Sequence, residues 1–247
     1  MKTANKILLI AFGLLLVSIV SLMLVIRKEL SKEPLTGSGQ VITETRETLP
    51  FMDIEVSGKL EVHLQQGDSL EITVEADDNL LEFIDTRIED NKLRIGLTSR
   101  VSTESQILVN ITLPDISRLR ASSNASIVTS DQLTGSYFEI ELSSGAHSTL
   151  DLNFEKVKIA LSSGAEATLY GEANKLFVES STGSDLDARY FKAANCDITT
   201  RSGSESKVYV TEFLKATARS GSSIYFRGEP SRREWFTSGG GTIKEEE

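Results

Sequence analysis

"ALSSGAEATLYG", residues 160–171, is the stretch on which the fold turns. It places a Ser-Ser-Gly turn between two alternating apolar runs. The pattern returns as "LSSGAHSTL" at 142–150, "TRSGSESKV" at 200–208 and "ARSGSSIYF" at 218–226. Taking the residue after each second Ser or Thr as a marker gives Asn124, Gly145, Gly164, Gly183, Gly203, Gly221 and Gly239. These are spaced by 21, 19, 19, 20, 18 and 18 residues. A fixed period of this size is the signature of a solenoid.

Alternation assigns the faces. Around Gly145, the residues Ile140, Leu142, Ser144, Ala146, Ser148, Leu150 and Leu152 share one parity, and Glu141, Ser143, Gly145, His147, Thr149 and Asp151 share the other. Successive strand residues point to opposite faces, so the first set is expected inside. Carried through every repeat, this predicts an internal ladder of Ser123, Ser144, Ser163, Thr182, Ser202, Ser220 and Ser238. Beside it runs a column of Ala125, Ala146, Ala165, Ser184, Ser204, Ser222 and Gly240. Small residues suit a narrow corner where rungs stack about 4.8 Å apart. Buried hydroxyls bonded between rungs offset a desolvation cost of roughly 1–3 kcal/mol. The marker glycines, and Asn124 in their place, are the corner residues, because they tolerate positive φ.

The expected fold is therefore all-β: a single-stranded parallel β-helix, right-handed by the general rule for parallel crossovers. Residues 114–241 form the repeat rungs. Residues 41–113 carry longer alternating strands ("FMDIEV", "KLEVHL", "SLEITVEA", "KLRIGL", "ILVNITL") joined by "SGK", "QQGDS" and "EDNK". Such joins favour hairpins and predict an antiparallel N-terminal β region. Upstream, residues 7–26 hold 20 uncharged, mostly apolar residues, long enough to cross a bilayer as one transmembrane helix. The run ends in Arg27-Lys28 without a small-residue cleavage site, so 1–28 reads as an uncleaved anchor and 29–40 as a linker. The long domain at 41–247 is expected to face away from the cytoplasm.

Charge and cysteine content narrow the function. Residues 1–28 hold four of the 26 basic groups and none of the 36 acidic ones, leaving a formal −14 beyond them. An acidic domain without a basic stripe argues against nucleic acid. Cys196 is the one cysteine, so internal disulfides and Cys-based metal clusters are excluded. Its parity with Ile198 and Ser202 predicts a buried thiol. His63 and His147 read as surface residues turned away from the serine ladder, which leaves the repeat serines without a base. Trp235 and Phe236 are expected to cover the open end of the core. The outward carboxylates Glu166, Asp185 and Asp187 are the candidate surface residues, as a partner-binding patch or as an acid–base pair on polysaccharide. No cofactor is implied.

The chain resembles the family of head domains of "putative auto-transporter adhesins", the head GIN domain, across 37–241. The resemblance rests on the opening "GSGQVITETRETLPFMDIEVSGKLEVHLQQG", with Arg46, Phe51 and the Gln-Gly turn, on "LEITVEADDNLLEFIDTRIEDNKLRIGL", and on the Ser-Gly repeats. It implies a parallel β-helix exported to the bacterial envelope, with no catalytic residues to carry over. The expectation is a membrane-anchored, non-enzymatic, adhesin-like module, with a glycan or an envelope protein as partner. A polysaccharide-active enzyme and a scaffold self-associating through the end of the coil are the alternatives.

Overall fold

The computed structural model describes residues 11–24 and 33–246. Residues 11–24 are helical. No helix among the described residues is long and apolar enough to cross a membrane. The span expected over 7–26 is therefore not shown, and its ends, 7–10 and 25–26, lie outside the described residues.

The rest is β-structure apart from one short 3-10 helix at Leu81–Phe83. Strands β1 (Leu35–Thr36), β2 (Val41–Arg46), β3 (Asp53–Ser57), β4 (Glu61–Gln66), β5 (Glu71–Asp77), β6 (Ile84–Glu89), β7 (Lys92–Leu97), β8 (Val101–Ser102) and β9 (Leu108–Leu113) build the N-terminal end. The stacked rungs follow as β10 (Arg118–Ser122), β11 (Ser126–Thr129), β12 (Leu133–Leu142), β13 (His147–Leu161), β14 (Glu166–Ser180), β15 (Asp185–Arg201), β16 (Glu205–Arg219), β17 (Ser223–Arg227), β18 (Arg232–Ser238) and β19 (Thr242–Glu245). Every pairing from β10 to β19 is parallel. The coil is a β-solenoid, with each turn one period below the next.

Register explains why the period is strict. Ile140 lies beside Ile159, then Val178, Ile198 and Ala216, a single inward column. All five are buried. A one-residue slip would turn each of them to solvent, at roughly 1.5–3 kcal/mol for a large apolar side chain. Cys196 is buried in the neighbouring column, and burial pushes its thiol up from the ordinary range.

The serine ladder sits elsewhere than alternation predicts. Ser123, Ser144, Ser163, Thr182, Ser202 and Ser220 all have positive φ, 52–59°, and all are exposed. Each forms, with the marker residue after it, a pair of consecutive left-handed residues, as Ser163 (54°) and Gly164 (71°) do. The turn closes when the Ala165 amide donates to the Ser162 carbonyl at 3.2 Å. Two left-handed residues rotate the chain instead of extending it, so strict alternation does not survive the corner. Leu161 and Ala165 both end up inside, and Ser163 points out. The hydroxyls buried at the corner include those of Ser184, Ser204 and Ser222, two positions further on, with Ser148, Ser180, Thr200 and Ser206 buried along the strands. Ser184 Oγ lies 2.9 Å from Ser180 Oγ, and Ser222 Oγ donates to the Thr200 carbonyl at 2.7 Å. The repeated serines serve the stack through their backbone. The amides of Gly145, Gly164, Gly183 and Gly203 donate to the carbonyls of Ser163, Thr182, Ser202 and Ser220 in the next rung, each at 3.1 Å. In the last turn the pattern shifts by one, with Gly239 (57°) and Gly240 (80°) taking the left-handed pair and exposed Ser238 preceding it.

The N-terminal region is antiparallel only in part. The pairs β2–β5, β5–β9 and β6–β7 are antiparallel. The β6–β7 hairpin turns at Asp90 and Asn91, both at positive φ, inside the "EDNK" join. Strands β3 and β4, however, belong to the parallel coil: β3 lies between β7 and β10, and β4 between β9 and β11. The "SGK" join is a solenoid corner there, and "QQGDS" joins two strands that do not pair with each other. The reason is burial: Ile54, Val56, Val62 and Leu64 must close onto the same core as the later rungs. Strands β5 and β6 then cover the outer edges of β9 and β7, leaving antiparallel β2 and β6 as the edge strands of that end.

Candidate functional site

The long sides of the coil carry opposite charge arrangements. One side runs over β3, β10, β12 and the second halves of β13–β16. Its outward row reads Lys92, Asp53, Arg118, Glu139, Lys158, Phe177, Asp197, Lys215, Glu234 across successive rungs. The signs alternate, and neighbours pair: Arg118 with Asp53 at 3.3 Å and Glu139 at 3.0 Å, Lys158 with Glu139 at 2.8 Å, Lys215 with Asp197 at 2.8 Å. Lys158 donates a hydrogen bond to Glu139 and, with Arg118, holds its carboxyl below the usual carboxylate range against the opposing effect of burial. These charges are engaged with one another across the rungs.

The other side runs over β4, β11, the first halves of β13–β16, and β17. Its outward row is Glu61, Ser126, His147, Glu166, Asp185, Glu205, Ser223, Thr242. Three carboxylates follow one another in register, at a rung spacing of about 4.8 Å, where like charges opposite one another destabilise a sheet. Compensation comes only from the flanks: His147 Nδ1 lies 3.3 Å from Glu166, and Lys207 pairs with Glu205 at 2.7 Å. Burial raises the Asp185 carboxyl, opposed by Lys207 and reinforced by Glu205, Glu166 and Asp187.

Of the three candidate carboxylates, Glu166 and Asp185 adjoin, while Asp187 is set apart by its own partner. Arg189 donates to both of its oxygens, at 3.0 and 2.7 Å, and holds its carboxyl low. Glu205, missed in the sequence reading, is the third member of the column. Its signal was available, since Glu166, Asp185 and Glu205 each stand two residues after a marker glycine. Also missed was the aromatic strip beside it. The β14–β15 and β15–β16 registers are irregular at Thr168/Tyr170 and Ala188/Lys192. Bulges of this kind re-aim side chains. Here Tyr190 stacks on Tyr170 with centroids 5.8 Å apart, and Arg227 lies over Tyr190 and Tyr209. Tyr170 and Tyr190 are 40% and 58% exposed. The turn serines face solvent, His147 faces Glu166, and His63 lies against Glu61 at 2.5 Å, so neither imidazole is paired with a serine nucleophile. Two grooves of about 500 and 510 Å³ lie elsewhere, one over the turns near Arg120 and Glu141, the other beside Leu97 and Val101. Neither includes the carboxylate column, which lies on open surface. No group of three or more His, Cys, Asp or Glu residues suited to a metal ion occurs among the described residues.

Because burial and like charge both disfavour its ionised form, the folded value of Asp185 lies above its unfolded one. Its stabilising contribution is full below the unfolded value, about 3.9, and is lost as pH rises through the folded one. Asp185→Asn is therefore expected to raise stability at pH 7, by no more than about 0.5 kcal/mol after solvent screening of this part-exposed group, with the gain vanishing near pH 3. Urea midpoints at the two pH values check this. An equal or lower midpoint for the variant at pH 7 would contradict it.

The fold is thus a parallel β-solenoid with one ion-paired side and one side that stacks three carboxylates in register. The sequence agrees: residues 50–230 match the family model "putative auto-transporter adhesin, head GIN domain", and the chain belongs to that family. Among solved structures it is similar to a "putative adhesin" from Bacteroides fragilis, at 18% identity and a TM-score of 0.80, covering 86% of this chain and all of the other. A "putative adhesin" from Parabacteroides distasonis (18%, TM-score 0.71) and a "putative lipid binding protein" from the same species (16%, TM-score 0.70) each cover 87% of this chain and are covered whole. At these identities the likeness speaks to the fold. No curated protein matches the chain.

Proposed function

We propose that this is an adhesin-like, non-enzymatic module of the bacterial envelope, tethered through residues 1–28, which binds a glycan or an envelope protein on the side bearing Glu166, Asp185 and Glu205. The observation that carries the reading is the contrast between the two sides. Alternating charges are what a structural row needs, and one side has them. Three stacked carboxylates weaken the coil, so their presence is explained by something outside it. Hydroxyl-rich or cationic groups would supply the donors the column lacks, and the edges of Tyr170 and Tyr190 would flank an extended ligand. The test is retention of the chain on arrayed bacterial glycans and solubilised envelope proteins. The triple variant Glu166→Gln, Asp185→Asn, Glu205→Gln is expected to lose at least about tenfold in affinity, while Glu139→Gln on the opposite side binds as the parent does. Equal retention of parent and triple variant would sink the reading.

One observation favours a second reading. Asp185 is raised and Asp187 lowered, and such splitting is how an acid and a base are set apart. A polysaccharide-active enzyme would then release reducing ends from some arrayed glycan and stop doing so as Asp185→Asn. No release by the parent chain disposes of it.

A further inference from the structure

The two ends of the coil differ. At the N-terminal end antiparallel strands β5 and β6 cover the outer edges of β9 and β7, and the outermost strands β2 and β6 each pair on one side only. At the other end β18 pairs only with β16 and β19 only with β17, so among the described residues their outer edges have no partner strand. All seven residues of β18 are exposed, with Trp235 at 55% and Phe236 at 53%. Trp235 follows buried Ala216 in its inward column and leans on buried Phe226 with centroids 5.9 Å apart, its other face exposed, while Phe236 lies outward under Arg219. Unpaired edges of this kind are templates for another chain.

We infer that the last rung joins a second copy of this chain, tail to tail, with β18 of each copy pairing antiparallel to β19 of the other. The sequence of the rung is self-complementary in one register. The β18–β16 and β19–β17 pairings put Arg233, Trp235, Thr237, Ile243 and Glu245 at inward positions, and Arg232, Glu234, Phe236, Thr242 and Lys244 at outward ones. A two-fold axis through the corner preserves inside and outside only if it passes through a residue rather than between two. An axis at Gly239 sets Arg232 opposite Glu246 of the second copy, Arg233 opposite Glu245, Glu234 opposite Lys244 and Trp235 opposite Ile243. Three successive pairs then carry opposite charge, and the fourth is apolar. Within one copy Arg233 already reaches Glu245 at 2.8 Å, and Arg232 pairs with Glu234. These contacts hold the charges of the end in place for exchange with the same charges of the other copy. A parallel head-to-tail stack lacks this match, because the opposite end presents antiparallel strands.

The closed, isologous contact excludes a filament. Strand β1 lies at the far end of the coil, with β8, so the two N-terminal segments of the pair leave in opposite directions. If residues 1–28 tether each copy as proposed above, this is the geometry of contact between two facing surfaces. That consequence rests on the tether, whereas the pairing does not.

Sedimentation of the full chain in mild detergent across a wide concentration range tests the pairing. The parent is expected to approach a dimer and no larger species. Glu234→Lys or Lys244→Glu alone would set like charges opposite each other twice per dimer and weaken association about tenfold. The combined swap Glu234→Lys, Lys244→Glu is expected to restore it. Within one copy these two residues are not paired, so restoration is not a folding effect. A monomer at all concentrations, growth beyond dimer, a dimer indifferent to Glu234→Lys, or a swap that fails to restore would each overturn the inference.

Discussion

Gly171→Ala is expected to destabilise the coil by about 3 kcal/mol or more, while the apparently equivalent Gly164→Ala costs about 1 kcal/mol. Both glycines have positive φ, 99° at Gly171 and 71° at Gly164, so both substitutions force an L residue into an uncommon backbone region. The difference lies in what the new methyl meets. At Gly164 there is nothing within 4 Å, because the turn stands out in solvent. At Gly171 the methyl would lie 2.1 Å from the Leu152 carbonyl oxygen and 3.0 Å from an Asp151 carboxylate oxygen. That carbonyl belongs to the rung directly below, since Leu152 and Gly171 are register partners. The clash therefore opens the stack rather than displacing a loose side chain. Nor is φ near 99° the αL well that Asn or Ser tolerates, so a polar residue is not a remedy. Urea unfolding of parent and both variants by circular dichroism checks the ratio. Equal losses would mean that rung spacing at this corner is softer than the packing indicates.

Most of the coil was legible because a solenoid writes its geometry as a period. The repeat placed Ile140 inside before any coordinates, and it lies in one buried column with Ile159, Val178 and Ile198. The same spacing, applied to Glu139, Lys158, Asp197 and Lys215, would have revealed the alternating charges, since one residue per rung is all that register requires. What alternation does not encode is a turn built from two left-handed residues. Ser163 lies two positions from Leu161, yet it points out, because φ changes sign between them. The hydroxyls buried at the corner consequently belong to the Ser184, Ser204 and Ser222 column. The N-terminal end was hidden for a different reason. The β7/β9 rung lies outside the β3/β4 rung, so the chain crosses back over 114–117 to begin β10, and local turn chemistry is silent about non-sequential neighbours. The bulge was half visible: the spacing of 20 between Gly183 and Gly203 announced a surplus residue in that rung, but not that it would bring Tyr190 over Tyr170.

Phe138→Ala is expected to cost about 3–5 kcal/mol, with Phe138→Leu costing less than half of that. Phe138 is fully buried and stacks on Phe154 with ring centroids 5.4 Å apart, where most of its column is aliphatic. Phe154 is in turn the large member of a column whose register neighbours are Gly135, Ala173 and Ala193. A methyl on Gly135 would come within 2.6 Å of the Phe154 ring, so the small neighbours exist to admit that ring. Removing Phe138 leaves a void that Phe154 does not refill, because its ring is seated over Gly135 in the rung below and under Ala173 in the rung above. The loss should also stay local. In a solenoid each rung contacts its neighbours, and stability is close to a sum of rung and interface terms. Hydrogen exchange is therefore expected to accelerate in β12 and β13 while β16 and β17, three and four rungs away, keep their protection. Uniform acceleration through all rungs would show instead that the coil opens as one unit. The carboxylate column straddles this boundary, with Glu166 one rung from the damage and Glu205 three, so local opening would loosen the near end of the proposed binding side before the far end.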